Sequence, residues 1–166
     1  MFNIGDTVIY KSEGVCKISE ITERDFSGTR ANYYVLRPIY KETARVYVPV
    51  DNEFLTSKMK KVLSSEEIDE VLTDLKNSPP FWISDPDLRR QYYKDISSSG
   101  NRKKILGAVI EIKKRQIPAN KNAKKPHIFD LQFMRDHEKV ILEEFALTLG
   151  IKPGEALEYI EKELQK

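Results

Sequence analysis

The sequence predicts an α+β protein in two parts. A small five-stranded β-barrel is expected over residues 1–62, followed by an all-α domain of about five helices over residues 63–166. Three observations carry this reading. Up to residue 62, short β-branched and aromatic runs alternate with turn-formers, and no helical period lies between them. At Ser64 the hydrophobic period changes from 2 to 3.6. From Arg89 to Lys125 the chain then holds twelve Lys/Arg against two acids, Asp95 and Glu111, although the formal net charge of all 166 residues is only +2.

The strand runs are TVIY (7–10), VCKISEIT (15–22), YYVLRP (33–38), RVYVPV (45–50) and KKV (60–62). Gly5-Asp6, Glu13-Gly14, Ser27-Gly28 and Asp51-Asn52 punctuate them as turns. In the fourth run Val46, Val48 and Val50 share one face, while Arg45, Tyr47 and Pro49 share the other. Pro49 has no N–H for a ladder, which places this strand at an edge.

The helices announce themselves by their ends. Ser64-Ser65-Glu66-Glu67 fits a capping box, and Ile68, Val71, Leu72 and Leu75 follow on one face. Asn77-Ser78-Pro79-Pro80 stops that helix. After Phe81-Trp82, either Ser84 or Asp85 caps the next helix, with Pro86 in its first turn and Leu88, Tyr92 and Ile96 as its stripe. The turn SSSGN (97–101) leads to a helix over Arg102–Ile117, with Ile105, Leu106, Val109, Ile110 and Ile112 on its buried side. On its other side Lys103 and Lys114 share an azimuth, as do Lys104 and Arg115, which predicts a basic track. A basic loop, PANKNAKKPH (118–127), follows. Asp130 is read as the cap of a helix ended by Gly150, and Pro153 as the start of the last one.

Composition excludes several classes of function. No apolar run is long enough to span a bilayer, and MFNIGD carries no basic-then-apolar leader. A single cysteine, Cys16, cannot close an internal disulfide, so a cytoplasmic setting is expected. His127, His137 and Cys16 show no metal-ligand spacing, there is no Gly-rich phosphate loop, and Glu143-Glu144 diverge by about 100° on a helix. The expectation is a binder without catalytic residues, cofactor or metal. The basic segment beside the sole tryptophan, Trp82, suits a polyanion.

The runs FNIGDTVIY (2–10), EGV (13–15), I-x-x-I (18–21), YYVL (33–36) and VYVPVDN (46–52) resemble the CarD family of bacterial transcription regulators. They also resemble the related RNA-polymerase-interacting module of the transcription-repair coupling factor. The C-terminal part resembles the helical domain of stand-alone CarD proteins in its length, its Trp-bearing lead-in, its S-G turn before a basic helix and its EFALTL segment (144–149). The resemblance implies a Tudor/SH3-like barrel that adds an edge strand to a sheet of the RNA polymerase β subunit. It implies that the helical domain contacts promoter DNA, largely without sequence preference, at the upstream edge of the melted bubble. On that reading Arg24, Arg45, Val46, Tyr47 and Pro49 bind polymerase. Arg24 matches a polymerase-contacting arginine of the family, and Tyr47 stands where some members have a second arginine. Trp82 would wedge at the minor groove, with Arg89, Arg90, Lys103, Lys104, Lys114 and Arg115 on phosphates. Here six residues, Ile83 to Leu88, separate Trp82 from Arg89-Arg90, where the best-known members have the arginines almost at once.

The resulting expectation is a monomeric, nucleoid-associated, non-enzymatic regulator of open-complex stability, with RNA polymerase and promoter DNA as partners and no membrane. Two alternatives stand beside it: a protein-only adaptor with a peptide-binding barrel, and an RNA- or ribosome-binding protein.

Overall fold

The computed structural model describes residues 1–117 and 125–166, so most of the expected basic loop at 118–127 lies outside the described residues. The chain divides into two compact units, Met1–Val62 and Leu63–Lys166. A five-stranded antiparallel sheet followed by helices gives the α+β class.

In the first unit β1 (Thr7–Tyr10), β2 (Val15–Phe26), β3 (Thr29–Pro38), β4 (Val46–Pro49) and β5 (Met59–Lys61) form one sheet in the order β4-β3-β2-β1-β5. β2 and β3 run further than their apolar cores suggested. Their polar halves continue as a ladder from Ile21↔Tyr34 to Phe26↔Thr29. Ser27 and Gly28, at φ +61° and +82°, close that hairpin with both central residues left-handed, as a type I′ turn requires. The pairing slips by one residue between Ile18 and Glu20, where Ser19 Oγ donates to Val35 O at 3.1 Å. This bulge moves the even-numbered residues of β2 from the core face to the outer face. Before it, Cys16 and Ile18 are buried; after it, Ile21 pairs with the core residue Tyr34.

Val8, Cys16, Ile18, Leu36 and Val48 are fully buried in the core of this unit. Each such side chain contributes on the order of 1.5–3 kcal/mol by leaving water, the small Cys16 less. A short helix the sequence reading missed, α1 (Glu53–Thr56), follows the Asp51-Asn52 turn, and Asn52 Oδ1 caps it by accepting from Leu55 N at 3.0 Å.

The second unit holds α2 (Ser65–Lys76), α3 (Pro86–Ser99), α4 (Arg102–Gln116), α5 (Ile128–Leu149) and α6 (Pro153–Gln165). The capping box is formed: Glu67 N donates to Ser64 Oγ at 3.2 Å and Ser64 N donates to Glu67 Oε2 at 2.7 Å. Asp85 rather than Ser84 caps α3, its Oδ1 accepting from Asp87 N and Leu88 N, both at 2.9 Å. α3 continues through Ser97–Ser99 to the left-handed Gly100, so the turn is shorter than read. α4 packs against α2, α3 and α5 and carries much of the core through Ile105, Leu106, Val109 and Ile112.

The start of α5 needs correcting. His127 holds the cap position, and Asp130 lies within the first turn, its Oδ2 accepting from His127 N at 2.6 Å. The carboxylate is turned inward because it has a buried cation to meet.

Candidate functional site

Two surfaces gather the residues singled out by the sequence, one in each unit. In the first, β4 stands at one end of the sheet and pairs with β3 from Leu36↔Val46 to Tyr33↔Pro49. Val46 packs on the core and Val48 is wholly buried, so their side chains face inward and leave main chain to offer at the edge. Tyr47 points to the other face. There its ring lies 5.4 Å from Phe26 and 6.4 Å from Tyr33, and the Phe26 and Tyr33 rings are 5.1 Å apart, all edge-to-face.

Arg24 is two residues from Phe26 on the same strand, and so shares this outer face. Arg24 and Arg45 are both exposed, with no acidic partner among the described residues. The surface is therefore a strand edge beside an aromatic cluster, flanked by free guanidiniums. Phe26 and Tyr33 were missed by the sequence reading. The signal was the I-x-x-I spacing at Ile18 and Ile21, which departs from strict alternation and accommodates the one-residue bulge and its change of face.

In the second unit the residues named for DNA separate by environment. Arg89 is not available to a phosphate: its residue is 3% exposed, and its guanidinium grips Asp130 with Nε–Oδ1 2.7 Å and Nη2–Oδ2 3.0 Å. Arg89 Nη1 also donates to Ile83 O at 2.8 Å and Ser84 O at 3.3 Å, tying down the segment that bears Trp82. Tyr93 OH donates to Asp130 Oδ1 at 2.7 Å. Burial alone would push the Asp130 carboxyl up, but the bonds from Arg89, Tyr93 and His127 N outweigh it and hold it below its usual range. Burial, and then the bond to Asp130, push the Tyr93 phenol far above its ordinary value.

Arg115 is likewise folded inward. It donates to Glu111 Oε2 at 2.6 Å, and its Cζ sits 3.9 Å from the centre of the Trp82 ring. Arg89 Cζ lies 4.4 Å from the same ring. Half-buried Trp82 is thus held by two cations whose charges are already matched. Lys114 also bonds Glu111, at 3.1 Å, but remains largely exposed. The basic track expected along α4 is broken by Glu111, a buried carboxylate that draws in the arginine one turn later.

Arg90 remains exposed, near Asp87 at 3.7 Å and over the Phe129 ring at 4.5 Å. Lys104 is exposed without an acidic partner among the described residues, and Lys103 approaches Asp74 only at 3.7 Å. Trp82, Arg89, Lys103 and Lys104 come together around one cleft of about 410 Å³, bounded also by Phe81, Tyr92 and Ile110.

Glu143 and Glu144 are both buried. Glu144 is gripped by Arg102 through two bonds of 3.1 Å and accepts from Leu63 N at 2.9 Å, a structural arrangement rather than an acid–base pair. Among the described residues no three His, Cys, Asp or Glu converge to hold a metal, and no helix is long and apolar enough to cross a membrane.

No curated protein matches the chain. Residues 2–63 match the family model of the CarD-like/TRCF RID domain. The sheet unit is thus similar to the CarD-like/TRCF RID domain over nearly its whole length.

Proposed function

We propose that the protein is a non-enzymatic regulator of transcription initiation. The sheet unit docks on the β subunit of RNA polymerase, and the helical unit contacts promoter DNA at the upstream edge of the bubble, changing open-complex stability. The observation that supports this most is the family match over residues 2–63, in a unit whose β4 stands at the end of its sheet.

A terminal strand can extend a partner's sheet by main-chain hydrogen bonds, with neighbouring side chains setting specificity. Arg24, Arg45 and Tyr47 flank that strand, while Val46 and Pro49 shape it. In the helical unit, exposed Arg90, Lys104 and Lys114 and half-buried Lys103 supply charge for phosphates, with Trp82 in the same unit. Arg89 and Arg115 serve by fixing Trp82.

The test is co-purification with RNA polymerase. Val46→Pro and Arg24→Glu are each expected to lose polymerase while the helical unit keeps its far-ultraviolet circular dichroism. Retention of polymerase by both variants would remove the docking assignment. Preference for folded RNA over duplex DNA in a mobility-shift assay would favour an RNA binder, and no shift with any nucleic acid a protein-only adaptor.

A further inference from the structure

We propose that the cleft beside Trp82 captures one unstacked base of single-stranded DNA, with the adjoining phosphate held at its rim by Lys103 and Lys104. The inference rests on the promoter-DNA reading above and names what that surface recognises.

The shape and chemistry of the cleft carry it. Its volume of about 410 Å³ falls within the range of small-ligand sites. Its walls are largely apolar: Phe81, Trp82 and Tyr92 contribute rings, Ile110 and Leu75 aliphatic surface. Phe81 is 58% exposed and stands 5.3 Å from the Tyr92 ring, an aromatic left uncovered at the cleft.

Four charged groups also line it, and two are already engaged: Arg89 by Asp130, and Glu111 by Lys114 and Arg115. The lysines differ. Lys104 has no acidic partner among the described residues, and Lys103 has only exposed Asp74 at 3.7 Å. An apolar cleft bounded by aromatic rings, with uncommitted positive charge beside it, complements an aromatic ring joined to an anion, as in a nucleotide. A paired, stacked base cannot enter it, so the occupant comes from an unpaired strand.

Trp82 acts here as a fixed wall. Its ring is engaged by Arg89 at 4.4 Å and Arg115 at 3.9 Å, and wedging it into a duplex would pull it away from both cations. Apart from the Tyr92 hydroxyl and the two rim lysines, the side chains lining the cleft are apolar or already bonded, so it selects mainly a π face rather than a sequence.

The experiment compares oligo(dT) with an abasic strand of equal length and charge, each titrated into the full chain at one salt concentration. Labelled-strand anisotropy gives affinity, and emission from Trp82, the sole tryptophan, reports on the cleft. Oligo(dT) is expected to bind about tenfold or more tightly than the abasic strand and to quench Trp82, since stacking on an aromatic side chain is worth this much per base.

Two variants should erase that preference while keeping binding to the abasic strand. Gly107→Leu fills the cleft from α4; a β-carbon there would stand 3.2 Å from the tip of Leu75. Phe81→Ala strips an exposed wall without touching the core. Equal affinity for the two strands with no quenching would overturn base capture and leave only phosphate binding. Failure to bind either strand or duplex DNA would overturn the promoter-DNA reading as well. A small molecule retained in the cleft through purification, seen by native mass spectrometry, would assign the cleft to that molecule instead.

Discussion

The two units treat charge in opposite ways. In the sheet unit the ion pairs lie on the surface, as with Arg30–Glu23 at 3.7 Å and Arg37–Glu20 at 3.8 Å. In the helical unit Arg89–Asp130 and Arg102–Glu144 are buried, and Glu111 is buried against Arg115. A cation in the first unit therefore remains available to a partner. A cation in the second is available only if no buried carboxylate has claimed it. Arg24 and Arg45 stand exposed on the sheet unit, whereas Arg89 and Arg115, expected on phosphates, are engaged by Asp130 and Glu111 and lie against Trp82.

The largest effect that would break this contrast lies at Asp130. Asp130→Ala leaves Arg89 buried and uncompensated, and should destabilise the helical unit by about 3–5 kcal/mol in chemical denaturation. Arg30→Ala in the sheet unit should cost no more than about 1 kcal/mol, since its pair is exposed and screened. Similar losses at the two sites would mean that burial does not separate them.

A middle-sized effect concerns salt. Removing Lys103 or Lys104 should lower the slope of log affinity for duplex DNA against log salt by about 1 each, as expected when one phosphate is no longer neutralised. Removing Arg115 should lower stability and leave the slope nearly unchanged. Equal slope changes for Lys104→Ala and Arg115→Ala would show that the inward arginine turns out to meet DNA.

The smallest effect is one of pH. His137 lies against the Phe133 ring at 4.4 Å, with its Nε2 2.8 Å from Ser97 Oγ. Burial lowers its pKa from the ordinary 6.5, an effect partly offset by Asp136. A lowered folded value means the unfolded chain binds the proton more readily, so stability is lost as pH falls below about 6.5 toward the folded value. His137→Gln should flatten that slope in melts compared across pH 5–7. An unchanged slope would exclude His137 as its source.

Local rules made much of the protein legible. The alternation of Val46, Val48 and Val50 with Tyr47 and Pro49 was enough to give β4 its inner and outer faces and its edge position. The Ser64–Glu67 box, Pro86 and Gly150 marked helix ends through backbone chemistry that needs no distant partner. α1 was obscured because four residues leave no helical period to read. The outer-face aromatic cluster of Phe26, Tyr33 and Tyr47 was hidden by a one-residue bulge at Ser19, which reverses the facing of everything after it on β2.

By itself, then, the sequence determined the order of the strands and of the five longer helices, the change from sheet to helix near residue 63, and the concentration of positive charge beside Trp82. Those follow from periods and caps acting within a few residues. Which cations stay free was decided only in three dimensions, because it depends on carboxylates distant in the chain or turned inward on a helix. Asp130 is 41 residues from Arg89, yet the two meet at 2.7 Å in the core. An ion removed from water must find its counter-charge there, and no local pattern records which one it will be.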